Sequence, residues 1–202
     1  MILRSRLRRT PSYLNVAALT LASALSLGPL TAQGQKPASQ TEAQAADLKD
    51  FEQRLKRYVD LRAGLAKTLK PLSPTASASE LATRQESLAA GLRQARKTAK
   101  QGDLIPTGVA SRLRTIVQTD LQHRTPAARQ AAFSEVAGAV TPIINRTYPA
   151  EAALPTMPPL LLGKLPVLPD NLQYRFLGRH LLILDGDTQL ILDYVSNVLP
   201  PH

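Results

Sequence analysis

Apolar residues recur along this chain with two different periods. Leu48, Phe51, Leu55, Tyr58, Leu65 and Leu69 follow a 3–4 spacing, with Arg62 in the one polar slot. The spacing predicts an amphipathic helix of about 28 residues, ended by Pro71, Ser73 and Pro74. A second helical pattern runs from about Ser79 to Lys100. Leu81, Leu88, Leu92, Ala95 and Ala99 share one face, and Arg84, Arg93, Arg96, Lys97 and Lys100 the other. Its basic end suits the negative end of a helix dipole, and Gly102 supplies the stop. The short connection predicts an antiparallel helical hairpin over residues 45–101. A third helix opens at Pro106 and runs to about His123, with Val109, Leu113, Ile116, Val117 and Leu121 inward. A fourth starts at the Thr125-Pro126 cap and runs to about Val140, burying Ala132, Phe133, Val136 and Val140.

Residues 141–171 hold prolines at 142, 149, 155, 158, 159, 166 and 169, a density that excludes a long helix or a central strand. Leu160, Leu161, Leu162, Leu165, Val167 and Leu168 are too apolar for a free linker. The expectation is an ordered segment laid over the fold, with one helical turn at Pro159 to Lys164. Strand chemistry follows. Leu172, Tyr174 and Phe176 alternate with Gln173 and Arg175, and Gly178-Arg179 makes a two-residue turn. Leu181 to Leu184 reads as a central strand covered on both faces. After the Asp185-Gly186-Asp187 turn, Leu190, Leu192 and Tyr194 alternate with Gln189, Ile191 and Asp193. The fold class is therefore α+β: a long helical hairpin, shorter helices, a proline-rich segment and a three-stranded antiparallel meander. Because composition shifts at Gly102, residues 103–202 are expected to fold as a unit without the hairpin.

The N-terminus changes the meaning of the charge. Arg4, Arg6, Arg8 and Arg9 precede an apolar run from Leu14 to Leu27, then Gly28-Pro29 and the small residues Thr31, Ala32 and Gly34. This order predicts a signal peptide over 1–34, cleaved after Ala32 or Gly34, with a flexible tether over 35–44. The run of about 14 residues is short for a membrane span; the alternative is an inner-membrane anchor formed by an uncleaved signal. The whole chain carries 25 Lys+Arg against 15 Asp+Glu, and cleavage removes four Arg and no acid, so +10 becomes +6. The chain has no Cys, which excludes disulfides, thiolate metal sites and a Cys nucleophile. The expected location is the periplasm or the extracellular space.

The candidate chemistry is thin. Asp185-Gly186-Asp187 could begin a calcium loop, but an EF-hand needs Gly and Glu where Leu190 and Ser196 stand; an Asp-Gly turn accounts for it, with Asp193 open to a loose cation site. His123, His180 and His202 have no ligand spacing. No Gly-x-Ser-x-Gly elbow is present. Arg93, Arg96, Lys97 and Lys100 read first as a solvated helix face, and no aromatic residue interleaves them for nucleic acid. Asn145-Arg146-Thr147 is a sequon, which means little if the source is bacterial. No catalytic, cofactor-binding or metal-binding residue is assigned, and no cofactor is expected.

Tyr174-Arg175-Phe176-Leu177-Gly178-Arg179-His180-Leu181-Leu182-Ile183-Leu184-Asp185, with Leu190-Ile191-Leu192-Asp193-Tyr194, resembles the ending of a family of uncharacterised exported bacterial proteins. Asn145-Arg146-Thr147-Tyr148-Pro149 is similar to theirs as well, so the likeness covers about residues 103 to 199. The meander alone also resembles small periplasmic proteins linked to envelope stress and metal homeostasis. The first resemblance places Asp where this chain has His180, and neither supplies a catalytic residue. Together they imply a Gram-negative cell envelope. The expected function is a non-enzymatic protein-interaction or structural module. Its partner would be another envelope protein or an anionic membrane surface, met through helices 45–101, and not nucleic acid. The alternative is a small periplasmic hydrolase or a metal-binding envelope-stress protein.

Overall fold

Helix α1 (Gln40–Thr68) buries Phe51, Leu55 and Tyr58 along one side, the seam that the 3–4 spacing predicts. The structure, a computed structural model, describes residues 40–133, 140–149 and 157–200. The expected signal peptide, residues 35–39 of the tether, Val136, His202 and the side chains of Ala132 and Phe133 lie outside them. α1 starts within the stretch expected to be tether. Ala43, Gln44, Ala45 and Ala46 are good helix formers, and Glu42 in the first turn complements the dipole.

Helix α2 (Ala78–Ala95) opens on a capping box: Ser77 accepts from the Glu80 N–H, and the Glu80 carboxylate accepts from the Ser77 N–H at 2.8 Å. It stops five residues before the expected Lys100, where the chain turns at Arg96. Leu81 and Ala95 are exposed rather than inward. Gly91 faces Leu65 on α1, and α1 ends three residues later at Thr68. Leu81 lies about 15 Å back toward the tip, so it overhangs the end of its partner helix. There Arg84 donates to the carbonyls of Ala66, at 3.0 Å, and Lys70, closing the C-terminus of α1.

Helix α3 (Thr107–Gln122) buries Val109, Leu113, Val117 and Leu121 as the pattern requires. It touches α1 closely: a Cβ on Gly108 would displace the Asp47 carboxylate. Helix α4 (Pro126–Phe133) is capped by Thr125, whose Oγ1 accepts from the Ala128 N–H at 3.2 Å. Val140, expected to be buried beyond it, is exposed. The predicted turn at Pro159 is helix α5 (Pro159–Leu162).

The three strands, β1 (Leu172–Leu177), β2 (His180–Asp185) and β3 (Ile191–Val195), form an antiparallel meander in the order β1-β2-β3. Gly178, at φ 52°, occupies the positive-φ position of the β1–β2 turn. Leu181 and Ile183 of β2 face the helices, and Leu182 and Leu184 the opposite side. β2 is the doubly covered central strand that its apolar run predicts.

The strict alternation expected in β3 fails. Ile183 pairs with Asp193 and Leu184 with Ile191, so Leu192 is the extra residue of a β-bulge. The bulge puts Leu192 with the helix-facing core and brings Asp193 opposite Ile183 on that same side. Tyr194 passes to the far face with Ile191. Part of the proline-rich segment covers that far face, where Ile144 and Tyr148 pack on Leu177, Leu182, Leu184 and Ile191. It also protects the edge of β3: the Asn145 N–H donates to Ile191 O, the Ile191 N–H to Arg146 O, and the Tyr148 N–H to Gln189 O, each at 2.8 Å.

One hydrophobic cluster joins Phe51, Leu55 and Tyr58, Leu88 and Leu92, Leu113 and Val117, Leu161, and Phe176, Ile183 and Leu192. It spans both sides of Gly102, and the described residues all fall within one compact unit. Phe176 is 1% exposed in this cluster. Phe176→Ala is expected to cost about 3–5 kcal/mol, read as a lowered urea midpoint. An unchanged midpoint would remove Phe176 from the core.

Candidate functional site

The charged groups that sequence reasoning left as turn, slot or surface residues meet beneath the helices. β2 ends at Asp185, which is fully buried. Its Oδ1 accepts from the backbone N–H groups of Asp187 (3.1 Å) and Thr188 (2.9 Å) and so shapes the turn. Its Oδ2 accepts from Tyr58 Oη (2.7 Å) and Arg62 Nε (2.8 Å), one helical turn apart on α1. Arg62 also pairs with Asp187. The polar slot in the helix seam is thus the contact with the β2–β3 turn. Gly186 sits close against Asn171, where a Cβ would lie 3.3 Å from the Asn171 carbonyl oxygen.

Burial raises the Asp185 carboxyl, but the Thr188 N–H, the Tyr58 hydroxyl and Arg62 outweigh it and hold the group below its ordinary value. Burial, reinforced by the Asp185 carboxylate, holds the Tyr58 phenol up. Asp120 of α3 is similar to Asp185. Burial is opposed by Arg124 (2.7 Å) and Lys164 (3.0 Å), and the carboxyl is lowered. A lowered folded value means stability that is complete above the unfolded value near 3.9 and is lost as pH falls through the folded one. The protein is expected to lose stability below about pH 4, and Asp185→Asn to flatten that loss in melting temperatures taken across pH. Parallel profiles for the two proteins would assign the acid sensitivity elsewhere.

Asp193 anchors a second group. Its Oδ2 accepts from the N–H groups of Leu104 and Ile105, both at 2.8 Å, and its Oδ1 from those of Gly102 (3.0 Å) and Tyr194 (2.8 Å). Burial pushes this carboxyl up against the pull of those donors. Gly102, at φ 91°, does not stop α2 but turns the loop that Asp193 holds. Arg54 of α1 closes the same loop from outside by donating to the carbonyls of Gly102 and Asp103, both at 3.0 Å. Arg96 lies 5.4 Å over the Tyr58 ring and donates to Leu192 O (2.9 Å) and Asn145 Oδ1 (3.1 Å). Burial lowers its guanidinium.

These contacts decide several sequence readings. Asp185, Asp187 and Asp193 accept from internal donors, so the aspartates considered for a cation bind the protein's own N–H, O–H and guanidinium groups. Of the basic run, Arg96 is drawn into the fold and Arg93 donates to Glu86 and Thr147, while Lys97 and Lys100 stay exposed. The Asn145 amide is clamped to Arg96, donating to its carbonyl and accepting from its guanidinium. The sequon therefore has no free amide.

His123 Nδ1 bonds to Thr119 O at 2.7 Å. His180 meets the Tyr194 ring edge-on at 5.7 Å, and its buried Nδ1 has no hydrogen-bond partner among the described residues. Burial and Arg179 lower its ring. The Asp120 cluster was missed in the sequence. Its signal was the step of three from Val117, which puts Asp120 on the inward face of α3, with Arg124 four residues on.

Surface grooves among the described residues include the following. One lies at the hairpin tip by Leu72 and Arg84, one between Asp47 and Arg112, and one of about 430 Å³ between the Met157–Leu168 segment and β1. None contains the buried aspartates. Among the described residues, no group of three or more His, Asp or Glu is placed to hold a metal ion, and no helix is long and apolar enough to cross a membrane. No protein-family model matches the chain, and no curated protein or solved structure matches it either.

Proposed function

We propose that this is an exported cell-envelope protein that acts by binding through its surface, as a protein-interaction or structural module. The observation that carries this reading is the state of the buried and half-buried charges. Asp120, Asp185, Asp193, Arg62 and Arg96 are each bonded to a neighbouring element of the fold. They brace the structure rather than face an open cleft. Export is supported by the basic, apolar and small-residue order of residues 1–34, and the envelope by the resemblance of the meander and of residues 145–149. The apolar seam of the hairpin lies in the core, so a partner of helices 45–101 would meet their outer, charged faces.

Intact mass of the protein from a periplasmic extract tests export. A chain starting at Gln33 or Gln35 is expected, and Met1 retained in the membrane pellet would favour the anchored form. Pull-down from envelope extracts tests binding, with His180→Ala as the control. Loss of metal or substrate binding by a folded His180→Ala protein would overturn the non-enzymatic reading.

A further inference from the structure

The strap that follows β3 hangs on one residue. Ser196 is held by α3 and by the loop after α2: the Arg114 guanidinium donates to its carbonyl at 3.1 Å, and the Gln101 amide to its Oγ at 3.0 Å. Beyond Asn197 the backbone turns to the β1–β2 turn. The Val198 N–H donates to Arg179 O at 2.9 Å, and the Leu199 N–H to the same oxygen at 3.3 Å. Arg179 Nε in turn donates to Leu199 O at 2.9 Å. Val198 and Leu199 are buried in the main core, so the turn clasps an apolar segment. Among the described residues, these are the hydrogen bonds that Val198 and Leu199 make.

His180 follows the clasp in the chain and lies on the sheet face away from the helices. Leu177 stands opposite it on β1, and the Tyr194 ring of β3 meets it edge-on at 5.7 Å. The groups around it offer no negative charge. Arg179 is its chain neighbour, and Arg175 is two residues from Leu177 on β1. Of the residues that cover this face, Ile144 is apolar and Tyr148 spends its hydroxyl on Phe176 O. The buried Nδ1 has no hydrogen-bond partner among the described residues. A neutral ring carries one proton, which Nε2 can hold. An imidazolium carries a proton on both nitrogens. Its Nδ1–H would be buried without an acceptor, and its charge would stand beside Arg179. Both neutral tautomers lead to this same cation, so the penalty is the same whichever nitrogen holds the first proton. Burial, and after it Arg179, accordingly hold the ring below its ordinary value.

We propose that the β1–β2 turn is a pH-operated clasp: when His180 takes up a proton in mildly acidic solution, the turn shifts to bring the imidazolium to water and releases Val198 and Leu199. The two movements are coupled because the Arg179 carbonyl and the His180 nitrogen belong to one planar peptide group. A rotation that carries the ring outward also turns the oxygen on which the strap hangs. The sign follows from the lowered ring. The clasped form is fully stable above the ordinary histidine value of about 6.5. It loses stability as pH falls below that value, and loses no more once pH is under its own lower one. Within that window the ratio of open to clasped molecules rises by up to about tenfold per pH unit. The window lies above the carboxylate range of Asp185 and Asp120, and the device is independent of export and of what the helical faces bind.

The chain has no Cys, so one nitroxide spin label reports one position. Full-length Pro200→Cys protein carries the label at the exposed end of the strap, and Lys56→Cys, on the exposed face of α1, is the control. Spectra are taken from about pH 7.5 down to about pH 5 and back. The expected result is a mobile component at 200 that grows reversibly as pH falls and is absent at 56. His180→Gln and His180→Phe, made in the Pro200→Cys protein, cannot take up the proton and are expected to hold the label as at neutral pH. Two replacements are used so that one poorly folded variant does not decide the result. Proton–carbon NMR follows the His180 ring itself, which is expected to titrate below about 6.5. No mobile component at 200, equal changes at 200 and 56, or the same response in His180→Phe would each overturn the clasp. So would a His180 ring that titrates at or above its ordinary value, because the imidazolium would then carry no penalty.

Discussion

A fragment of residues 103–202 is expected to fail to melt cooperatively, although its boundary follows the composition shift at Gly102. The helix-facing side of the meander shares one core with Phe51, Leu55 and Tyr58 of α1 and Leu88 and Leu92 of α2. At roughly 2 kcal/mol for each of these side chains, cutting them away removes about 10 kcal/mol of burial. That is of the same order as the whole stability of a domain, about 5–15 kcal/mol. The cut also takes Tyr58 and Arg62 from Asp185 and leaves that buried carboxylate without its charge partner. The helix-facing side of the meander would keep only α3 and α5 as cover, too little to pack three short strands. Thermal melts and amide dispersion in proton NMR check this. A single sharp transition with dispersed amides would instead make the hairpin a separate domain.

Asp193→Ala is expected to destabilise the protein by about 4 kcal/mol. The substitution leaves the buried N–H groups of Leu104 and Ile105, and the more exposed one of Gly102, without their acceptor, and each orphaned buried donor costs about 1–3 kcal/mol. These costs are not additive, because a freed loop can relax toward water. Asp193→Asn keeps one carbonyl oxygen at the site and is expected to lose about half as much. Hydrogen exchange separates this from a general loosening: the amides of residues 102–105 are expected to exchange faster before those of β1 do. A change below about 0.5 kcal/mol, or uniform exchange across the sheet, would show that the loop is held by Arg54 and packing instead.

The contrast between the two aspartates of the meander shows where sequence reading stopped. Asp185 is legible as a turn residue, because Asp-Gly between apolar runs has a local cause in its side chain's reach to N–H groups two and three residues on. Asp193 reads as an alternate on the same face as Ile191, and under strict alternation it would be one. The bulge at Leu192 reverses its side, and a bulge answers to the fit of β3 against β2 and the helices, which leaves no periodic mark.

The sequence by itself determined the α+β class, the seam of α1, the inward face of α3, the helical turn at Pro159 and the doubly covered β2. Each of these follows from a local period, a cap or a breaker that acts within one element. Tertiary structure alone decided the rest. The overhang of Leu81 depends on where α1 ends. The inward turn of Arg96 depends on Tyr58, Leu192 O and Asn145, which are far away in sequence. The bonds from Tyr58 and Arg62 to Asp185 cross more than 120 residues. Such contacts join elements whose local patterns are complete without them. Their partners are selected by geometry and by the cost of leaving a buried charge unpaired, and that cost arises only once the elements have packed.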